Sequence, residues 1–271
     1  METAGEKAAS VLERLRKEKP LVHHITNIVV ANITANATLA AGALPVMAFA
    51  VDEVADLAST SNALVLNMGT PAPETVEAMI VAGRAANSRG IPVIFDPVGV
   101  GATPYRNRTA ERILEHVKVS AVRGNASEVA FLSGVGTKIR GVEAIEQDLP
   151  PAELSPLASR HLGTVVAVTG PRDYISDGRR LAVVENGHAM MAGITGSGCV
   201  STAVVAAFCA VEPDTVVASA SALAYLGVAG QLAAEASHGP GSFQMNWLDN
   251  LANLSPRELA GLASISWTEL A

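Results

Sequence analysis

The chain has 271 residues, a formal net charge of −7 and no basic cluster, which argues against nucleic acid or an anionic membrane surface as a partner. Hydrophobic residues make up 49% of the chain and charged residues 17%, so the chain can bury a large core. Aromatic residues are only 4%, so we expect this core to be aliphatic and rich in alanine. The length fits one large α/β domain or two small ones.

Apolar residues in the first half of the chain recur alternately at helical and at strand spacing. The predicted helices span residues 8–15, 29–41, 52–58, 73–87, 107–116 and 126–132. The predicted strands span residues 21–25, 44–48, 63–66, 91–95 and 119–122. The next stretch, 134–153, is rich in glycine and charge and is expected to be an exposed excursion. The alternation predicts a mostly parallel sheet that is covered by helices on both faces.

The second half continues the alternation. Further helices are predicted over residues 155–162, 200–210 and 215–235, and further strands over 164–168, 174–176 and 181–184. Ser155 followed by Pro156 is typical of a helix cap and first turn. Asp177 followed by Gly178 indicates a hairpin. A glycine-proline-glycine break at 239–241 precedes a last helical stretch.

Two stretches without charge, 25–51 and 189–211, are long enough to cross a bilayer. Polar residues, glycine and proline interrupt them, so buried helices or a subunit interface explain them better. Cys199 and Cys209 lie on one predicted helix about 15 Å apart. That separation is too long for a disulfide and fits a reducing compartment. Residues 1–20 are charged and have no apolar core, so no signal peptide is predicted and a cytoplasmic location is expected.

Polar residues stand at the points where predicted strands end. They are Asn27, Asn67, Asp96, Arg123 with Asn125, and Thr169. Ligands of parallel α/β sheets bind beyond the carboxyl ends of the strands, so we expect these residues to share one edge. His23 and His24 are adjacent on a strand and cannot both face one ligand. We interpret them as partly buried strand-end residues rather than as metal ligands.

Residues 193–199 are interpreted as a glycine loop that opens a helix. Its three glycines are interspersed with two hydroxyl side chains, and Cys199 follows. Glycine permits a positive φ and a close approach of the backbone to a ligand. The first N–H groups of a helix lack internal partners and attract phosphate. A Walker A loop is excluded because Cys199 stands where its lysine is required.

Seven segments of the chain carry a resemblance when they are taken together. They are Pro20-Leu-Val-His-His-Ile-Thr-Asn27, Pro45-Val-Met47, Leu66-Asn-Met-Gly69, Asp96-Pro-Val-Gly99, Arg123-Gly-Asn-Ala-Ser-Glu128, Val168-Thr-Gly170 and Thr195-Gly-Ser-Gly-Cys199. Their order resembles the hydroxyethylthiazole kinase family of the ribokinase-like superfamily. The resemblance implies that residues 1–271 form a single kinase domain. This domain would be a three-layer α/β sandwich with a mostly parallel central sheet, without the β-lid of other ribokinase relatives, and would assemble as a homotrimer.

The resemblance also implies an activity. The family uses ATP and Mg²⁺ to phosphorylate the hydroxyl of 4-methyl-5-(2-hydroxyethyl)thiazole in thiamine salvage. The thiazole is then expected to contact Met47 and the backbone of Gly196, with Asn27 as a further substrate-binding residue.

Five residues are expected to hold the nucleotide and the metal. By the resemblance, Arg123, Asn125 and Thr169 would bind ATP. Asp96 and Glu128 would organise Mg²⁺, directly or through water. The residue types agree, because the planar guanidinium of arginine matches phosphate. Carboxylate oxygens are ligands that suit Mg²⁺.

Cys199 stands where most of the superfamily has an aspartate base. By the resemblance it forms the catalytic centre together with Gly196 and Gly198. A helix dipole lowers the pKa of a thiol in its first turn, so this thiol could accept the substrate proton. Phosphoryl transfer requires positioning and charge neutralisation more than early deprotonation, so we expect only modest help from such a base.

Three other functions remain open from the sequence. One is a related vitamin-precursor kinase that acts on a hydroxymethylpyrimidine or on pyridoxal. Another is an ADP/ATP-dependent NAD(P)H-hydrate dehydratase on the same scaffold. Both would be expected to carry an aspartate in the glycine loop, where Cys199 stands. The third is a binder without catalysis, which would not need Asp96, Arg123 and Glu128 together.

Overall fold

The computed structural model describes residues 2–135, 137–140, 143–146 and 149–270, and for the two short segments it describes the backbone. Numbered in chain order, the strands are β1 (Leu21–Ile25), β2 (Leu44–Met47), β3 (Ala63–Asn67), β4 (Val93–Asp96), β5 (Ala121–Gly124), β6 (Thr137–Arg140), β7 (Glu143–Glu146), β8 (Val165–Val168), β9 (Asp173–Ser176), β10 (Arg180–Val184) and β11 (Ile265–Glu269). Nine of them form one sheet in the order β11-β10-β9-β8-β5-β4-β3-β1-β2, and β6 pairs with β7.

The sheet is mostly parallel, as the alternation predicted. Six strands run parallel to one another: β2, β1, β3, β4, β5 and β8. β9, β10 and β11 extend the sheet in antiparallel fashion beyond β8. The predicted hairpin therefore exists as β9 and β10. All six parallel strands end at one edge, which we call the carboxyl edge.

Helices cover both faces of the sheet and make the predicted three layers. They are α1 (Ala4–Glu18), α2 (Ala31–Ala41), α3 (Val54–Thr60), α4 (Pro73–Ser88), α5 (Pro104–His116), α6 (Ala126–Ser133), α7 (Pro151–Leu162), α8 (Ser197–Cys209), α9 (Thr215–Glu235), α10 (Pro240–Asn253) and α11 (Pro256–Leu262). One hydrophobic cluster packs six helices against one face of the sheet: α1, α2, α8, α9, α10 and α11. A second cluster packs α3, α4, α5, α6 and α7 against the other face.

The core is aliphatic and alanine-rich, as the composition predicted. In α8, every residue from Val200 to Cys209 is buried, and most of α9 is buried as well. By length and composition, α9 could cross a membrane, but 83% of its most apolar window is buried inside the protein. It therefore serves as a core helix between the sheet and its neighbours. Cys199 and Cys209 lie on α8, and both are free thiols.

Two predictions of local structure were wrong, and a third was incomplete. Ser155 and Pro156 do not start a helix, because α7 already begins at Pro151, another proline that suits a first turn. The Ser155 hydroxyl instead donates to the carbonyl oxygen of Val166 at 3.0 Å. His23 and His24 are fully buried rather than partly buried. The last helical stretch proved to be two helices and β11, a strand exposed on both faces that lacks a clear alternation of apolar residues.

The excursion predicted over 134–153 is described only in part. Its described strands, β6 and β7, form an antiparallel pair, and its last residues belong to α7. Residues 136, 141–142 and 147–148 lie outside the described residues. The expected absence of a β-lid stays a prediction.

Candidate active site

The glycine loop delivers free N–H groups to the carboxyl edge. Gly196 has a φ of 90°, in the left-handed region that favours glycine, and α8 begins at Ser197. The first backbone bond of the helix runs from the N–H of Val200 to the carbonyl of Gly196 at 2.8 Å. The N–H groups of Ser197, Gly198 and Cys199 therefore precede the helical hydrogen-bond ladder and have no acceptor inside α8.

Arg123 lies against this helix start. A Cβ at Gly198 would fall 2.6 Å from Nη1 of Arg123, so glycine is needed for the contact. Arg123 belongs to β5, and its Nη2 donates a hydrogen bond to Oγ1 of Thr169, which follows β8. Its Nε is buried without a partner among the described residues. A guanidinium and the positive end of a helix thus meet at one point, and together they attract an anion.

A cavity of about 560 Å³ opens beside this point. Its polar lining includes Arg123, Asn125, Thr169, Ser197 and Gly198. Its apolar lining includes Met191, Leu223, Leu226 and Gly227. The volume and the mixed lining are those of a small-molecule site. The cavity therefore offers an anionic ligand a charged wall and an apolar wall.

Asp96 is a fully buried carboxylate at the end of β4. Its Oδ2 accepts hydrogen bonds from Nδ2 of Asn67 and from Oγ1 of Thr202, both at 2.8 Å. Nη1 of Arg123 lies 4.0 Å from the same oxygen, whereas Oδ1 has no partner in the described part of the chain. Burial raises the pKa of Asp96 to about 6, against the lowering effects of Arg123, Thr202 and Asn67.

Asn27 extends this network to Cys199. Its Nδ2 donates to Oδ1 of Asn67 at 2.8 Å and to Sγ of Cys199 at 3.6 Å. Burial, followed by the charge of Asp96, raises the pKa of the Cys199 thiol to about 11. The expectation of a lowered thiol pKa was therefore wrong. Burial and the nearby carboxylate destabilise the thiolate by more than the helix dipole stabilises it.

Glu128 uses both carboxylate oxygens to hold backbone. Oε1 accepts from the N–H of Gly99 at 2.8 Å, and Oε2 accepts from the N–H of Asn125 at 3.0 Å. The second bond belongs to a capping box, because Oδ1 of Asn125 accepts from the N–H of Glu128. Glu128 thereby ties the start of α6 to the loop after Asp96.

Arg106 holds the same loop from its other side. Its Nη1 donates to the carbonyls of Met68 and Val98 at 3.0 and 2.7 Å, and its Nη2 donates to the carbonyl of Gly69 at 2.7 Å. One side chain from the first turn of α5 thus joins the loops that follow β3 and β4. A clamp of this kind fixes the backbone that follows Asn67 and the backbone that follows Asp96.

Met47 stands apart from the cavity. It ends β2, the edge strand, and is partly exposed. The segments around it expose apolar side chains: Ile28 is 82% exposed and Val29 66%, and Phe49 and Val51 are also in solvent. These apolar side chains are left uncovered in the single chain.

The predicted site residues thus fall into three groups. The cavity is lined by Arg123, Asn125, Thr169 and Gly198. Hydrogen bonds join Asp96, Asn27 and Cys199 in a buried network, Gly196 begins the adjoining helix, and Glu128 braces the loop after β4. Met47 lies at the open edge of the sheet.

Two residues of the site, Thr202 and Arg106, were not predicted from the sequence, and the role of a third, Asn67, was not predicted. Asn67 was recognised as a strand-end polar residue, but nothing in the sequence indicated that it bridges Asp96 and Asn27. Thr202 lies inside an apolar helical run and carried no signal. Arg106 lay outside the helix predicted over 107–116 and carried no signal either. Only the packing of α5 and α8 against the carboxyl edge identifies them.

The chain is similar to known proteins over nearly its whole length. A profile of the hydroxyethylthiazole kinase family matches residues 12–257. The chain is 55% identical to a hydroxyethylthiazole kinase of Moorella thermoacetica over 256 residues, which cover 94% of this chain and 96% of the relative. A solved structure of the hydroxyethylthiazole kinase protein from Pyrococcus horikoshii OT3 aligns with a TM-score of 0.89 and 38% identity, over 97% of this chain and 99% of that one.

A more distant structure agrees in fold alone. It is a ribokinase-like superfamily protein from Enterococcus faecalis V583, with a TM-score of 0.63, 13% identity and 87% of each chain covered. The extent of the family match and the identity to its members decide the assignment: the chain belongs to the hydroxyethylthiazole kinase family of phosphotransferases.

Proposed function

We propose that this protein transfers the γ-phosphoryl group of ATP to the hydroxyl of 4-methyl-5-(2-hydroxyethyl)thiazole. The observation that carries the proposal is the meeting of Arg123 with the N–H groups at the start of α8 beside a cavity of suitable size. Phosphoryl transfer depends on positioning and on neutralising the charge of the transferred group. Both requirements are met by fixed donors that do not have to reorganise during the reaction.

ATP is proposed to bind with its phosphates at the charged wall of the cavity. Arg123, Thr169 and Asn125 line that wall, and Gly198 allows the backbone of α8 to come close. The base would then lie against the apolar wall, where Leu223, Leu226 and Met191 offer contact area.

Mg²⁺ is proposed to be organised by Asp96 and Glu128. Oδ1 of Asp96 is buried and accepts no hydrogen bond from the described residues, so this oxygen is free to bind a cation. Among the described residues, no group of three or more His, Cys, Asp or Glu side chains forms a metal cluster. This fits Mg²⁺, which typically takes one or two carboxylates and completes its shell with phosphate oxygens and water. When bound, the metal would neutralise charge on the phosphates.

The acceptor alcohol is proposed to lie near Cys199, Gly196 and Asn27. With a pKa raised to about 11, the Cys199 thiol keeps its proton at neutral pH. Its sulfur accepts from Asn27, so its own S–H can donate to the alcohol. Cys199 then orients the substrate hydroxyl, while the free N–H groups at the helix start stabilise the transferred phosphoryl group.

A homotrimer with thiazole pockets between subunits is proposed from the open edge of the sheet. Ile28, Val29, Phe49 and Val51 belong to the segments next to the ends of β1 and β2 and remain exposed in the single chain. Burying such a patch against a second copy is favourable, and the fully buried core of an interface is depleted of charge. Met47 would enter the pocket of the neighbour.

Residues 1–271 are proposed to act as one kinase domain in the cytoplasm. The nine-stranded sheet includes strands from both ends of the chain, β1 and β11, which supports one unit. Two free thiols on one helix suit a reducing compartment.

An ADP-release assay with the thiazole alcohol, a hydroxymethylpyrimidine and pyridoxal tests the proposal. We expect ADP and thiazole phosphate, identified by mass spectrometry, only with ATP and a divalent cation. Arg123→Met should lower kcat about 10²- to 10³-fold, as the loss of a charge-stabilising donor does. Preference for another alcohol, or turnover without a divalent cation, would contradict it.

A further inference from the structure

We infer that Thr202 and Asn67 are positioning residues that hold Asp96 in a single orientation, with Oδ2 fully engaged and Oδ1 reserved for the ligand. Oδ2 accepts from both residues at 2.8 Å, whereas Oδ1 accepts from none of the described residues. All three side chains are at most 1% exposed, so water does not compete for these bonds. The carboxylate is therefore oriented before any ligand arrives.

The hydroxyl of Thr202 binds Asp96 more closely than it binds the backbone of its own helix. A threonine in a helix ordinarily donates to the carbonyl four residues earlier. For Thr202 that carbonyl belongs to Gly198 and lies 3.4 Å away, whereas Asp96 Oδ2 lies at 2.8 Å. A hydroxyl has one proton, and the shorter bond to a charged acceptor is the stronger one. The bond links the second turn of α8 to the end of β4.

Asn67 fixes the other side of Asp96 with no freedom to flip. Its Oδ1 accepts from Asn27 Nδ2 at 2.8 Å and from the N–H of Gly69 at 3.0 Å, so its Nδ2 must face Asp96. Two donors on Oδ2 from β3 and α8 prevent rotation of the carboxylate. The same amide also holds Asn27 through its Oδ1, and Asn27 in turn donates to Sγ of Cys199.

This inference rests on the proposed function in one respect, the placing of the metal and phosphates at Asp96. If Asp96 rotates, Oδ1 is no longer held as the oxygen left free of hydrogen bonds, and the gain in nucleotide affinity from Mg²⁺ should fall. Thr202→Val keeps the shape and removes the donor, and Thr202→Ser restores it. Thr109→Val is a matched control, because Thr109 is a buried helical threonine whose hydroxyl donates to the carbonyl of Tyr105.

The test is a calorimetric titration of ADP with and without Mg²⁺, combined with kcat and KM for ATP and for the alcohol. For Thr202→Val we expect kcat and the Mg²⁺-dependent gain in ADP affinity to fall about tenfold, the effect of one lost hydrogen bond to a charged group. ADP affinity without metal, KM for the alcohol and the melting temperature should change little. Thr202→Ser should recover to within about threefold, and Thr109→Val should match the parent.

Asn67→Asp, which replaces the donor toward Asp96 with an acceptor, should act in the same direction. Equal behaviour of Thr202→Val and Thr109→Val, failure of Thr202→Ser to recover, or a parent that binds ADP equally with and without Mg²⁺ would overturn the inference. The ADP titration uses no alcohol. Failure to phosphorylate the thiazole alcohol would therefore refute the proposed function and leave this test intact.

Discussion

The two ends of the carboxyl edge are built differently. Around β4, β5 and β8, polar side chains are buried or half-buried, hydrogen-bonded to one another and packed against α8. Around β2, the chain leaves apolar side chains in solvent, and Met47 is only partly covered. The difference teaches that the polar end is held together by hydrogen bonds within one chain, whereas the apolar end leaves side chains uncovered in the single chain.

The largest effect should come from filling the closed end. In Gly198→Val the new Cβ would meet the Arg123 guanidinium at 2.6 Å, and that guanidinium is already held by Thr169. We expect single-turnover rates to fall about 10²- to 10³-fold, as for loss of an anion-stabilising donor. Gly241→Val is the matched control, since a Cβ there meets nothing within 4 Å. A folded Gly198→Val enzyme faster than Cys199→Ala would mean that the thiol, rather than the backbone cradle, dominates catalysis.

A charge at the open end should separate the subunits. Val29→Asp places a carboxylate in the exposed patch, where assembly would have to desolvate it. Light scattering should show a trimer for the parent and smaller species for the variant. Activity should fall about 10²-fold, the scale of a misplaced substrate. Leu262→Asp, at an exposed leucine of α11, should leave assembly and activity unchanged. A stable, fully active parent monomer would refute the trimer.

Removing the thiol that lies between the two ends should have a smaller effect. General-base catalysis contributes roughly 10²- to 10⁴-fold, but a thiol that keeps its proton cannot supply it. Cys199→Ala should therefore lose only about tenfold in single-turnover rate, the value of one positioning hydrogen bond. ATP affinity should be kept. Cys199→Asp should stay active, because a carboxylate also accepts the bond from Asn27. A loss beyond about 10³-fold in the alanine variant would restore the base mechanism.

Replacing His24 should have the smallest effect on activity, with no change at neutral pH. The replacement should, however, change how the free energy of unfolding depends on pH. Burial and the neighbouring His23 lower the pKa of His24 to about 3. Below pH 6.5 the unfolded chain binds a proton that the folded protein does not, so stability falls as the pH decreases toward 3. Between pH 6.5 and 5, His24 should contribute a loss of about 1.6 kcal/mol, which is partly offset by Asp96, whose raised pKa acts in the opposite direction.

Urea unfolding at pH 6.5 and pH 5 measures this loss. In His24→Gln the pH-dependent loss should be clearly smaller than in the parent. His116→Gln, at an exposed histidine, serves as the control and should keep the parental loss. An unchanged pH dependence in His24→Gln would show that His24 does not carry it.

Much of the fold was readable from local pattern. Strand β1 and helix α9 were predicted at their observed bounds, because strong apolar runs end at clear turn signals. β11 was missed because it is exposed on both faces and gains its structure from pairing with β10. The start of α7 was missed because two prolines could each have opened the helix.

The sequence by itself determined the layered α/β architecture, the glycine loop and the chemical identity of the residues at the carboxyl edge. These depend on periodicity, on backbone freedom at glycine and on residue type, which are local properties. Tertiary structure decided how those residues work. The pKa of Cys199 is raised because burial and Asp96 oppose the helix dipole. Thr202 faces Asp96 because α8 packs against β4, over 106 positions of sequence separation. Desolvation and long-range hydrogen bonds arise only when distant segments meet, so no local pattern could have predicted them.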